Sequence, residues 1–190
     1  TLEKKHDKYF LRFTYAEEVA LNRTPVKEQT ICSVDLGINT DAVCTIMRPD
    51  GTILGRKFIN FPSDKDRMYR VLGRIRRFQR EHGSRQVQGK WAYAKRLNTE
   101  LGRKIAREIV LYASEKKADV IVFEYLEMKG KLSGKKKQKL QMWRKRDIQK
   151  RCGQQAHRKG IRISRICAWN TSRLAFDGSG EIARDIRDHR

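Results

Sequence analysis

The chain has 190 residues, with 44 Lys and Arg against 22 Asp and Glu, a formal net charge of +22. Its 38% hydrophobic residues are clustered, which excludes a disordered polyelectrolyte, and no stretch reaches the length of a membrane span or reads as a signal peptide. A charge of this size repels itself unless a polyanion neutralises it. Nucleic acid is therefore the leading partner, ahead of an acidic membrane surface, for which no single basic amphipathic helix stands alone.

In chain order, "KYFLRFTY" (Lys8 to Tyr15) alternates loosely and predicts a strand. The polar connector "ALNRTPVKEQ" contains Pro25 and predicts a domain boundary there, with one domain over 26–190. "TICSVD" closes an apolar run on Asp35, and "AVCTIM" and "TILGRKFINF" follow, joined by the turn signal "RPDG". These predict a three-stranded antiparallel meander from Ile31 to about Phe61. From Asp64 the period becomes helical, with Met68, Leu72, Ile75 and Phe78 on one face. After the break "EHGSRQVQGK", a second helix carries Ala94, Leu97, Leu101, Ile105, Ile109 and Tyr112 in register. "ADVIVFEYL" is an apolar strand ending on Glu124, and "MKGKLSGKKKQK" is a basic, glycine-containing loop. A third helix is predicted over 139–158, with Leu140, Trp143, Ile148, Cys152 and Ala156 on one side, and "IRISRICAW" is a last strand.

The four cysteines form no CxxC pair; Cys32 and Cys44 lie in apolar runs and read as small core residues, which suits a reducing, intracellular compartment. The chain opens at Thr1 and stops at Arg190 inside a charged run, as a piece of a longer protein would.

This order gives an α/β fold: a ribonuclease-H-like mixed sheet of three antiparallel strands and then parallel strands, with a long helical insertion. The strand at Val120 follows helices, so a crossover can lay it parallel to the strand of Asp35. Two such neighbours each bring a carboxylate to their C-terminal ends, the edge where α/β sheets collect ligands and chemistry. Asp35 and Glu124, facing one another without a cation between them, would raise each other's pKa or recruit a metal. Mg²⁺ or Mn²⁺ suits oxygen ligands, and two ions about 3.5–4 Å apart would activate a water and stabilise the leaving oxygen in phosphodiester hydrolysis. The competing reading makes each acid a cap or turn former, as Asp35 before Leu-Gly could be. A two-metal site needs a third carboxylate; Asp185 and Asp188 are available, but "GEIARDIRDHR" reads as surface, and a third acid is expected beyond Arg190.

"VDLGINTDAV", "VIVFEYLE" and "WNTS" resemble the RuvC-type nuclease domain of the TnpB family and the related type V CRISPR effectors. The resemblance runs from about Ile31 to Gly180. It implies that Asp35 of the DLG element and Glu124 at the end of its strand are the first two catalytic carboxylates and metal ligands. It implies that residues 1–25 end a preceding wedge-type β domain, that the helical pair is the family's insertion, and that the protein cleaves DNA under RNA guidance in the cytoplasm of a prokaryotic cell. Its partners would be guide RNA and target DNA. Two departures stand out. After "TS" the family carries a zinc ribbon beginning TSxxCxxCG, whereas Ala175 and Gly178 occupy those cysteine positions here, so zinc is not expected. The aspartate of the third motif would follow this region.

Arg67, Arg70, Arg74 and Arg77 align along one edge of the first helix, and such a repeat suits phosphates that recur along a strand. The alternative is a merely solvated charged face. Lys135, Lys136 and Lys137 in the loop after Glu124, and Arg144 beyond them, are further candidate phosphate contacts; in the family such a loop resembles a lid over the cleft. Trp143 reads as core rather than a base-stacking platform, Trp91 and Trp169 are undecided, and His82 and His157 read as surface. A cleavage-deficient RNA-guided DNA-binding module with the same fold is the competing function. An actin-like ATPase also opens on a strand and an acid-x-Gly turn, but it needs a second phosphate loop and a second lobe, and a +22 charge does not suit it.

Overall fold

The computed structural model describes residues 1–5, 7–83, 87–125 and 144–167. It opens with a two-stranded antiparallel hairpin, β1 (Leu2–Lys5) and β2 (Lys8–Leu11), turned at Asp7 with φ 58°. The expected strand to Tyr15 is therefore shorter, and β1 was not expected. The hairpin closes where the Arg12 N–H donates to the Thr1 carbonyl. Beyond it the chain turns to other partners: Arg158 donates to the Tyr15 hydroxyl and pairs with Glu17.

The connector docks against the main body at Gly160, whose carbonyl accepts from the Asn22 N–H at 2.8 Å. Gly160 has φ 75°, and a Cβ there would stand 3.1 Å from the Ala20 carbonyl, so glycine suits both the turn and the close approach. A single 3₁₀ turn at Val26–Glu28 leads into the sheet.

That sheet has five strands: β3 (Ile31–Asp35), β4 (Ala42–Met47), β5 (Ile53–Ile59), β6 (Val120–Tyr125) and β7 (Arg162–Cys167), in the order β5-β4-β3-β6-β7. β3, β4 and β5 are the antiparallel meander, while β3, β6 and β7 run parallel. The β4–β5 turn forms at "RPDG": Gly51, at φ 89°, donates to the Arg48 carbonyl, and the Asp50 carboxylate accepts from the Thr52 N–H. Two helices, α1 (Pro62–His82) and α2 (Gln88–Glu115), fill the crossover from β5 to β6, and α3 (Lys145–His157) fills that from β6 to β7. This is the mixed ribonuclease-H-like sheet expected from the sequence.

Strand alternation sorts the sheet into two faces. Cys32, Val34, Cys44, Ile46, Ile121 and Phe123 pack against α2 and α3 through Ile105, Ile109, Val110, Ile148, Cys152 and Ala156. Ile31, Met47, Val120 and Val122 cluster on the other face, with Ile166 packed against them. α1 joins α2 through Met68, Leu72, Ile75 and Ala94, and the half-buried Trp91 packs there too. The predicted helical faces therefore hold, while Leu140, Trp143 and Trp169 lie outside the described residues. Among the described residues, no helix is long and apolar enough to cross a membrane.

Candidate active site

Asp35 and Glu124 end neighbouring parallel strands. The register pairs Ile31 with Val120 through Val34 with Phe123, and one further step sets Asp35 beside Glu124. Val34 and Phe123 enter the helix-covered core. Alternation puts the two acids on the opposite face of the sheet, at its C-terminal edge. Both are half-buried.

Three other acids of the sheet, only Asp41 of them at this edge, show what a structural role looks like here. Asp119 accepts from the Thr24 hydroxyl at 2.6 Å and the Thr30 N–H at 2.8 Å, tying the connector to the start of β6. Asp41 is buried, accepts from the Phe61 N–H at 2.7 Å at the head of α1, and lies 3.5 Å from the Lys65 ammonium. Asp50 holds its turn. Asp35 differs: among the described residues no hydrogen bond or ion pair reaches its carboxylate, and burial alone raises its pKa above the ordinary value. The turn that follows is tight, because a Cβ on Gly37 would stand 2.5 Å from the Thr40 carbonyl.

The N-terminus of α3 meets the same edge. The Gln149 side-chain amide donates to the Glu124 carbonyl at 3.1 Å, which fastens the first turns of α3 to the end of β6. Lys145, the first residue of α3, is buried at 6% exposure. Desolvation lowers the pKa of its ammonium, the Arg146 charge adds to that, and the Glu124 carboxylate opposes it. Neither Lys145 nor Gln149 stands out in the sequence, where Lys145 is one cation within "RKR" and only the i, i+4 spacing to Gln149 links the two.

Two carboxylates on one face of a sheet edge, one of them without a partner among the described residues, fit the oxygen donor set that Mg²⁺ or Mn²⁺ takes. Among the described residues they are not joined by a third ligating group. Asp185 and Asp188 lie outside the described residues, as do Ala175 and Gly178.

Arg67, Arg70, Arg74 and Arg77 are all exposed on α1. Arg67 donates to the Tyr93 hydroxyl at 2.6 Å and stacks over that ring, so aromatic groups interleave the arginines, as they also do where Arg76 lies over Tyr69. Arg144 is apart from this stripe: it is half-buried, donates to the Thr99 hydroxyl and lies 3.9 Å from Asp147. It lines a cleft of about 590 Å³ beside the Asp35 turn, together with Asn39, Tyr69, Arg76, Asn98 and Leu101. Lys135, Lys136 and Lys137 lie outside the described residues. His82 and His157 are exposed.

No family model matches the chain, and no curated protein does. Among solved structures it is similar to a Cas12f1 protein determined by cryo-EM in complex with sgRNA and target DNA, with TM-score 0.61 and 19% identity over 82% of this chain and 40% of that one. It is similar also to a CRISPR-Cas12f protein in a ternary complex, with TM-score 0.58 and 16% identity over 95% of this chain and 36% of that one. At these identities the likeness is one of fold, and this chain spans about two fifths of each of those proteins.

Proposed function

We propose that the chain is the RuvC-type nuclease domain of an RNA-guided DNA endonuclease. The reading rests on the side-by-side carboxylates of Asp35 and Glu124, with Asp35 lacking a partner among the described residues, at the edge where α/β sheets carry chemistry. The fold shared with Cas12f proteins, which bind sgRNA and target DNA in the solved complex, and the +22 charge both support it.

In this reading Asp35 and Glu124 are catalytic and hold divalent cations, Mg²⁺ or Mn²⁺, with a third acid beyond residue 190 completing the set. The cations, when bound, supply a nucleophilic water and neutralise charge on the leaving oxygen. The chain's own part is to hold two carboxylates rigidly on adjacent strands and to fasten the Glu124 strand end through Gln149. The exposed arginines Arg67, Arg70, Arg74 and Arg77 carry the nucleic-acid backbone by charge, with Arg144 and the Lys135–Lys137 run adding contacts nearer the edge. Guide RNA and target DNA are the partners, and the cytoplasm is where they meet. Residues 1–25 end a preceding β domain, which suits the exposed Leu2, Tyr9, Phe10 and Leu11 of the hairpin.

The test is strand cleavage by the guide-loaded protein that carries this chain. Mg²⁺- or Mn²⁺-dependent cutting, abolished by Asp35→Ala and by Glu124→Ala, is the expected result. Cutting that ignores chelation, or survives either substitution, would refute the proposal. Guide-dependent DNA binding without cutting would favour the cleavage-deficient module.

A further inference from the structure

Phe58 lies on β5, the edge strand of the sheet. Side chains alternate along a strand. Lys57 turns to the helix-covered face, where it pairs with Glu108 at 2.9 Å and lies over the Tyr112 ring. Phe58 therefore turns to the other face, the one that carries the two acids. There it is 66% exposed. The register sets it level with them: Phe58 pairs with Val43, and Val43 pairs with Asp35. Phe58 thus stands two strand spacings, about 10 Å, from Asp35 along one row of the sheet. Arg56, also exposed, is on the same side of β5, about 7 Å along the strand. An exposed apolar side chain is ordinary on a protein surface. Phe58 is set apart because it is aromatic, belongs to no hydrophobic cluster of the described residues, and is level with the candidate active site.

We propose that Phe58 is a stacking platform for a base of the single DNA strand that crosses the carboxylate edge, and that it sets which phosphodiester comes to rest at Asp35 and Glu124. The proposal rests on the reading of those two acids as the nuclease site. Charge alone gives a strand no register, because a cation meets any phosphate along the backbone equally well. An aromatic face supplies that register without reading sequence, since every base has a π-face to lay on it. The occupant is a single strand, because a base within a duplex is already stacked on both sides. With a phosphate at the acids, the base of an adjoining nucleotide is the group that comes over Phe58. Arg56, farther along the same side of β5, carries the charge for a neighbouring phosphate.

The experiment follows single-turnover cleavage of target DNA in Mg²⁺ by the guide-loaded protein that carries this chain. Wild type, Phe58→Ala, Phe58→Leu and Phe58→Trp each receive intact DNA and a series in which one nucleotide at a time around the cut is abasic. On intact DNA, Phe58→Ala and Phe58→Leu should cut about tenfold more slowly. Phe58→Trp keeps an aromatic face and should stay near wild type. One abasic position should slow wild type about tenfold and leave Phe58→Ala and Phe58→Leu no slower than on intact DNA, as a shared contact requires. Wild-type cutting by Phe58→Ala overturns the proposal. So does a Phe58→Leu that cuts as fast as Phe58→Trp, which would assign the ring to an apolar protein neighbour. Losses that multiply at every abasic position would mark a structural role and overturn it too. Should Phe58→Ala fail to fold, Phe58→Leu against Phe58→Trp reads the same contrast. Asp35→Ala separates the two readings. If wild type does not cut, or Asp35→Ala still does, the nuclease reading fails and this proposal falls with it. Cutting that Asp35→Ala abolishes and Phe58→Ala leaves untouched overturns this proposal alone.

Discussion

A carboxylate kept for chemistry and one kept for structure respond oppositely to neutralisation, and Asp35 and Asp119 offer that comparison within one sheet. Burial raises the pKa of folded Asp35 above its unfolded value, with no hydrogen bond or ion pair among the described residues to oppose it. The folded state therefore favours the protonated form. This contribution to stability is fully present below the unfolded pKa and is lost as pH rises through the folded pKa, so at neutral pH the ionised group opposes folding. Asp35→Asn keeps the size and removes the charge. It should stabilise the metal-free protein by about 1 kcal/mol, raising the melting temperature by about 2–4 °C for a domain of this size. The gap between variant and wild type should close as pH falls through the carboxylate range. Asp119→Ala should do the reverse. It removes the acceptor of hydrogen bonds at 2.6 and 2.8 Å, worth about 3 kcal/mol together, and should lower the melting temperature by about 6–12 °C. Calorimetry in EDTA across pH 3 to 8 reads all of these. A lower melting temperature for Asp35→Asn at neutral pH, or a gap indifferent to pH, would show that Asp35 is a structural acid.

Other consequences follow from particular residues. Replacing Arg67, Arg70, Arg74 and Arg77 together by Ala should reduce the log–log salt slope of duplex binding by about 3 to 4; an unchanged slope would mean that α1 faces solvent in the complex. Gly37→Ala would push a Cβ to 2.5 Å from the Thr40 carbonyl, so it should cost about 1–3 kcal/mol in thermal unfolding; full stability would show that the turn yields freely. Phe123 is fully buried at the centre of the sheet, and Phe123→Ala should cost about 3–5 kcal/mol in denaturant unfolding. Of the four thiols only Cys167 is exposed, so a thiol reagent should label one cysteine rapidly in the native chain and four in denaturant; rapid labelling of a second would contradict the packing of β3, β4 and α3.

Much of the sheet is legible in the sequence because each strand carries its own signal. "RPDG" between two apolar runs specifies an antiparallel turn, and the apolar strand after two helical segments requires a crossover, hence a parallel partner for β3. The parallel register then brings Asp35 and Glu124 together, which is why two acids 89 positions apart can be paired by reading alone. The hairpin is less legible. "LEKK" has no apolar alternation, and its pairing depends on Asp7 at positive φ, a conformation that the residue permits without demanding. Gln149 is not legible as a partner of Glu124, because its place depends on where α3 begins relative to the end of β6. That Asp35 has no partner among the described residues is equally a tertiary fact, since Asp41 and Asp119 look no different in sequence and each has found a structural partner.

In the function proposed above, Asp35 and Glu124 share divalent cations. The most direct test is a Mn²⁺ titration of the chain at millimolar concentration, followed by electron paramagnetic resonance in wild type, Asp35→Asn and Glu124→Gln. Loss of the same bound signal in each single variant is the predicted result. Binding that persists in both would contradict the claim.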